Sequence, residues 1–209
     1  MPSITRRRVL SGASALLVGF AGCSGESSSS SSVPPEEVGN VAVDPESYSL
    51  RNPNDGPVVW TGERPTPRDD EDRSHYRHYT FVTGPDDAAG VSFANGPGVD
   101  GARAFLDETD YDAATVYVEQ WRVQECFAPE LCYVRWSTDN IDTSYARHYR
   151  DADVACEADA EDTIATLIRI PAAFDPSEIS SYGSSYGSGT CEERSERIQR
   201  RRNESRRAE

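Results

Sequence analysis

Val116-Tyr117-Val118, continuing through Trp121 and Val123, carries apolar side chains at odd and even positions alike. A β-branched and aromatic run of this kind reads as a strand covered on both faces. Cys132-Tyr133-Val134-Arg135-Trp136 follows with strict alternation, which puts Cys132, Val134 and Trp136 on one inward face. Thr163 to Ile170 sets Ile164, Ile168 and Ile170 on one side, and Pro171 stops the run. Tyr145 to Tyr149 supplies a further strand. Strands at this spacing, joined by Gly, Pro and Asp turns, predict a mainly β fold: an antiparallel β-sandwich with one short helix, two disulfides and a polar C-terminal tail. A lone barrel is the alternative, and α/β is disfavoured because crossover helices are missing.

Upstream, residues 44–72 read as irregular, since Pro45, Pro53, Pro57, Pro65 and Pro67 block long elements, with Val58-Val59-Trp60 as a short edge strand. Arg77 to Thr83 alternates, Gly84-Pro85-Asp86-Asp87 offers a turn, and Val91-Ser92-Phe93 alternates again. These two runs are expected to pair as a hairpin. Asp100 is the expected N-cap of the body's single helix, whose apolar positions are Ala102, Phe105 and Leu106.

The first 23 residues have another character. Thr5-Arg6-Arg7-Arg8-Val9-Leu10 precedes an apolar run from Ala13 to Phe20, too short to span a bilayer, and the run ends in Ala21-Gly22-Cys23. Ser27 to Ser32 is an unbroken serine tract followed by Pro34-Pro35-Glu36-Glu37, a composition that suits a tether. The chain has no lysine: all 21 basic residues are arginine, against 36 Asp plus Glu. Without residues 1–22, which hold three arginines and no acid, the formal charge of −15 becomes −18. Such a charge repels itself at low ionic strength, and molar salt, with a Debye length of about 3 Å, largely removes the penalty. It also argues against nucleic acid as a partner, because phosphates need a basic footprint.

The twin arginines at Arg6 and Arg7 with Val9 and Leu10, together with Phe20-Ala21-Gly22-Cys23, resemble the leader and lipobox of haloarchaeal Tat-exported surface lipoproteins. Phe20 stands where Leu, Val or Ile is usual. The resemblance implies cleavage before Cys23, a lipid on its sulfur, and a protein held on the extracellular face of the cell membrane. The expected organisation is then a leader over 1–22, a tether over 23–43, a sandwich domain over 44–191 and a tail over 192–209. Cys126, Cys132, Cys156 and Cys191 remain, an even set that suggests two disulfides in an oxidising compartment. Four cysteines allow three connectivities; the expected one is Cys126–Cys132 with Cys156–Cys191. Residues 192–209 hold seven arginines and five acids, whereas residues 23–191 hold eleven arginines and thirty-one acids. Only Ile198 faces a core from this tail, which reads as a solvated helix or as disordered, with contact to anionic headgroups as the sharper alternative.

Candidate sites are few. Gly183-Ser184-Ser185-Tyr186-Gly187 matches G-x-S-x-G, but no histidine lies downstream of it, so it reads as a loop. His75 and His78, three apart, point to opposite faces of a strand. Arg77-His78-Tyr79 echoes Arg147-His148-Tyr149, and paired strands would bring His78 near His148, where Asp151 or Asp153 would complete a weak metal site. A blue-copper site is disfavoured because the only methionine is Met1. The acid clusters at Asp69–Asp72, Asp107–Asp112 and Asp151–Asp162 lack calcium-loop spacing and read as solvated surface. Asn203-Glu204-Ser205 is a formal glycosylation sequon. The expectation is a non-catalytic binding or structural lipoprotein without a cofactor, whose partners are the membrane through Cys23 and an envelope protein. The alternatives are a metal-binding protein or metal-dependent hydrolase using His78 and His148, and an accessory solute-binding component of a transporter.

Overall fold

The computed structural model describes residues 39–53, 56–65 and 77–208. The expected leader, Cys23, the serine tract, His75 and Asp69–Asp72 lie outside the described residues. Ten strands and three helices follow in chain order: β1 (Asn40–Val43), β2 (Ser47–Asn52), β3 (Val59–Thr61), β4 (Arg77–Val82), α1 (Pro85–Gly90), β5 (Val91–Phe93), α2 (Val99–Asp107), β6 (Thr115–Gln124), β7 (Phe127–Trp136), β8 (Asn140–Tyr149), β9 (Glu161–Ile170), β10 (Ser181–Gly187) and α3 (Cys191–Ala208).

Two four-stranded sheets carry the fold, one in the order β2-β9-β6-β4 and the other in the order β1-β7-β8-β10. The mainly β sandwich with two disulfides is therefore present. β6 sits between β9 and β4 with nearly every residue buried, as its two-faced apolar pattern requires. Its odd positions face the opposing sheet, where Tyr117 packs with Val134, Trp136, Ile141, Ile168 and Ile170. Its even positions face outward, where Val116 and Val118 pack with Leu50, Val82, Phe105 and Leu106 under α2 and the β3–β5 ribbon.

Several expectations are corrected. β4 pairs with β6 and β5 pairs with β3, so the expected hairpin does not form; Pro85 starts α1 where a turn was expected. Gln120 fixes the β3–β5 ribbon to the outer face through β3. Its side-chain amide donates to the Val59 carbonyl at 2.6 Å and accepts from the Val58 amide at 3.0 Å, imitating a strand partner from inside the sheet. α2 is capped by Gly98, at φ 85°, and Asp100 lies in the first turn. Regular structure reaches into both flanking regions, since β1 occupies the end of the expected tether and β2 the start of the expected irregular region.

β10 joins β8 in parallel, the exception in an otherwise antiparallel pair of sheets. Gly183 permits this close pairing, because a Cβ there would strike the Asp142 carboxylate. The tail is helix α3, packed on β7 and β8 with Ile198 only 5% exposed. Thr190 and Glu193 begin it with a reciprocal cap: Thr190 Oγ1 accepts from the Glu193 amide at 3.2 Å, and the Glu193 carboxylate accepts from the Thr190 amide at 3.3 Å.

The disulfides are Cys126–Cys156 and Cys132–Cys191, not the expected pairs. Cys126 lies in the β6–β7 turn and bonds to the loop leading into β9, whereas Cys132, expected to face inward with Val134 and Trp136, falls at the bulge between Leu131 and Tyr133 and bonds to Cys191 at the start of α3. Proximity along the chain favoured Cys126–Cys132, but strand β7 holds those two residues apart along its length.

Candidate functional site

The layer between the sheets is apolar at one end and polar at the other. Alternation carries the inward face of β6 from Tyr117 to Glu119, Trp121 and Val123, and that of β8 from Thr143 to Tyr145 and Arg147. Tyr145, 1% exposed, donates its phenol proton to the equally buried Glu119 carboxylate and stands edge-on to Trp121 with ring centroids 4.8 Å apart. Burial and the Glu119 carboxylate push the Tyr145 phenol well above its ordinary range, which keeps the donor proton in place. Ser49 and Thr166 face each other across β2 and β9 at 3.3 Å on the same inward side. Glu119 and Tyr145 are sealed from solvent, so this pair holds the sheets in register.

Nearer the open end, Arg51 of β2 reaches across the layer. It donates to Asp162 Oδ2 at 2.5 Å and to the Phe127 carbonyl at 2.5 Å, and Asp162 itself is 3% exposed. Arg150 approaches the same carboxylate at 3.9 Å and donates to the Glu125 carbonyl at 3.3 Å. Beyond them β8 emerges from the sandwich: its residues are buried through Ala146 and exposed from Arg147 to Tyr149. Arg147 stacks on Phe127, its guanidinium carbon 4.5 Å from the ring centroid and 6.0 Å from that of Tyr186. Phe127 in turn meets Tyr149 at 4.7 Å, and Tyr149 is 77% exposed. Burial raises the Tyr186 phenol, while the Arg147 and Arg51 guanidiniums pull it the other way. This mouth pairs a guanidinium with exposed rings on a floor fixed by Arg51 and the Cys126–Cys156 bond.

The residues singled out from sequence fall elsewhere. His78 lies on β4 opposite Gln120, on the outer face of its sheet, where burial lowers its pKa. His148 lies on the outer face of the other sheet, 2.5 Å from Glu130 Oε2. Their strands belong to different sheets and do not pair, so the two histidines are not brought together, and Asp151 and Asp153 lie exposed beyond β8. Among the described residues no group of three or more His, Cys, Asp or Glu is placed to hold a metal ion. Asp107, Asp110 and Asp112 border a shallow groove of about 360 Å³ between α1 and the turn after α2; Asp110 there accepts from the Asp112 amide as a turn cap. The G-x-S-x-G match lies on β10, where Ser185 bonds Ser144 at 3.0 Å, without the strand–turn–helix setting of a nucleophile. Asn203 is exposed on α3. Among the described residues no helix is long and apolar enough to cross a membrane.

Sequence reading passed over the polar end because its signal is split. Glu119, Tyr145 and Asp162 stand on three strands, and each looks like an ordinary surface polar residue until the register aligns them. No family model, curated protein or solved structure matches this chain.

Proposed function

We propose that the chain is a surface lipoprotein, anchored through Cys23 on the extracellular face of the membrane, whose sandwich is a non-catalytic binding module. The carrying observation is that the four body cysteines form two disulfides, Cys126–Cys156 and Cys132–Cys191. Stable disulfides belong to oxidising compartments, the setting that an exported chain reaches. With those four consumed, Cys23 is the one cysteine outside the pairs, at the end of the apolar leader run. The buried charges support a non-catalytic role. Glu119 is sealed from solvent with Tyr145, and Asp162, 3% exposed, is held by Arg51, so neither acid is presented to a bound molecule.

Expression in a halophilic host with a twin-arginine export system tests the proposal. The wild-type chain partitions into detergent with a lipid mass on Cys23, and Cys23→Ser releases it into the aqueous phase. Replacing Arg6 and Arg7 by lysine retains it inside the cell. Recovery of wild-type protein as an aqueous species with an unmodified Cys23 overturns the proposal.

A further inference from the structure

We propose that the mouth formed by Arg147, Phe127, Tyr149 and Tyr186 binds a sugar ring bearing a single acidic group, a carboxylate or a sulfate. This deepens the reading of the sandwich as a binding module and does not depend on lipidation.

The first argument is the state of Arg147. In a chain with 36 acids, the two arginines nearest in the same polar end are engaged, since Arg51 and Arg150 both face Asp162, at 2.5 and 3.9 Å. Arg147 makes no hydrogen bond or ion pair among the described residues; its contacts are the faces of Phe127 and Tyr186. Stacking fixes the plane of the guanidinium and leaves its N–H fork free, the arrangement that receives a carboxylate or sulfate through two parallel bonds.

The second argument is the platform. Tyr149 and Tyr186 are the two exposed aromatic side chains among the described residues, and both flank Arg147 on the same inward face of the sheet. A pyranose presents a face of C–H bonds that covers a ring of this size, while its hydroxyls stay in water. The floor is rigid before any ligand arrives, because Arg51 holds the Phe127 carbonyl and the Arg150 amide holds that of Cys126 at 3.0 Å. Preorganisation of this kind lowers the ordering cost of binding.

The third argument is charge count. The mouth presents one guanidinium, Arg147, that meets no carboxylate among the described residues, and this matches one anion; a polyphosphate or a nucleic acid brings further charges that a strongly acidic chain repels. In molar salt only contact-range attraction persists, and a bidentate pair beside a stacked ring is of that range.

Titration calorimetry on the purified full chain, in detergent where the lipid is present, tests this with methyl galacturonoside, its methyl ester and a sulfated monosaccharide. Methyl galacturonoside or the sulfated sugar is expected to saturate below about 1 mM, and the neutral ester to bind about tenfold more weakly. Arg147→Ala is expected to lose about tenfold, Arg147→Lys about threefold and Tyr149→Ala about fivefold, each with the melting temperature moved by under about 2 °C. The tighter of the two acids identifies the group. Equal affinity for acid and ester, unchanged affinity in Arg147→Ala, equally tight binding of adenosine monophosphate, or no saturation by either acid overturns the site. Lipid on Cys23 is read separately by mass, so failure here leaves the anchoring proposal standing.

Discussion

At one end of the inter-sheet layer Tyr117, Ile168 and Ile170 close against Val134, Trp136 and Ile141; at the other, the same strands present Glu119, Thr166 and Asp162 to Tyr145 and Arg51. The apolar end needs only volume and shape, because dispersion and burial are non-directional. At the polar end every buried group needs a partner at the right angle, since an unmatched one costs about 1–3 kcal/mol. Glu119, Tyr145 and Asp162 are as buried as the apolar end, and the two ends differ in what a substitution does. Loss of a methylene is graded. Loss of one partner from a pair strands the other.

The sharpest break of that contrast lies in the apolar end. Ile168→Ala, at a fully buried position, should lower unfolding free energy by about 4 kcal/mol, read from the denaturant midpoint in molar salt. A loss under about 1 kcal/mol would mean that the layer collapses around the gap and is not tightly packed. At the polar end, Asp162→Asn should cost about 3 kcal/mol by leaving Arg51 without its carboxylate. Arg51→Met combined with Asp162→Leu should recover most of that loss. If the double variant is no better than the single one, the pair contributes more than mutual neutralisation.

Tyr145→Phe removes the donor to Glu119 while keeping the ring against Trp121, and about 2 kcal/mol should be lost. The smallest effect concerns His78 on the outer face. Its folded pKa lies below the ordinary value of about 6.5, so the unfolded chain takes up the proton first as pH falls. Stability should therefore decline as pH drops from 6.5 towards the folded pKa, and His78→Gln should flatten that slope. An unchanged slope in the variant would assign it to carboxylates instead.

Much of the architecture was legible in advance. The two-faced burial of β6 follows from Val116 and Val118 alternating with Tyr117 and Trp121, and the end of β9 follows from Pro171, although the strand begins at Glu161, two residues before the expected Thr163. The Thr190–Glu193 spacing is a helix-start signal that the composition of the tail obscures. Pairing was less legible. β4 is bonded to β6, more than thirty residues on, although β5 is nearer in sequence, because the edge of β6 left open by β9 carries backbone N–H and C=O groups that need a strand partner. The mouth at Arg147 was visible only as an echo of Arg77-His78-Tyr79, and that echo pointed towards the histidines. Alternation turns Arg147 inward and His148 outward, which reverses the reading.

Side-chain order along the chain determined which segments became strands, since period and branching act within a few residues and need no distant partner. It also determined the charge, the cysteine count and the leader-like start. Which cysteine met which, which strand lay beside which, and whether Arg147 met rings or a carboxylate were decided only when two sheets closed on each other. Those outcomes depend on register between residues tens of positions apart, and register is a property of the whole packed layer.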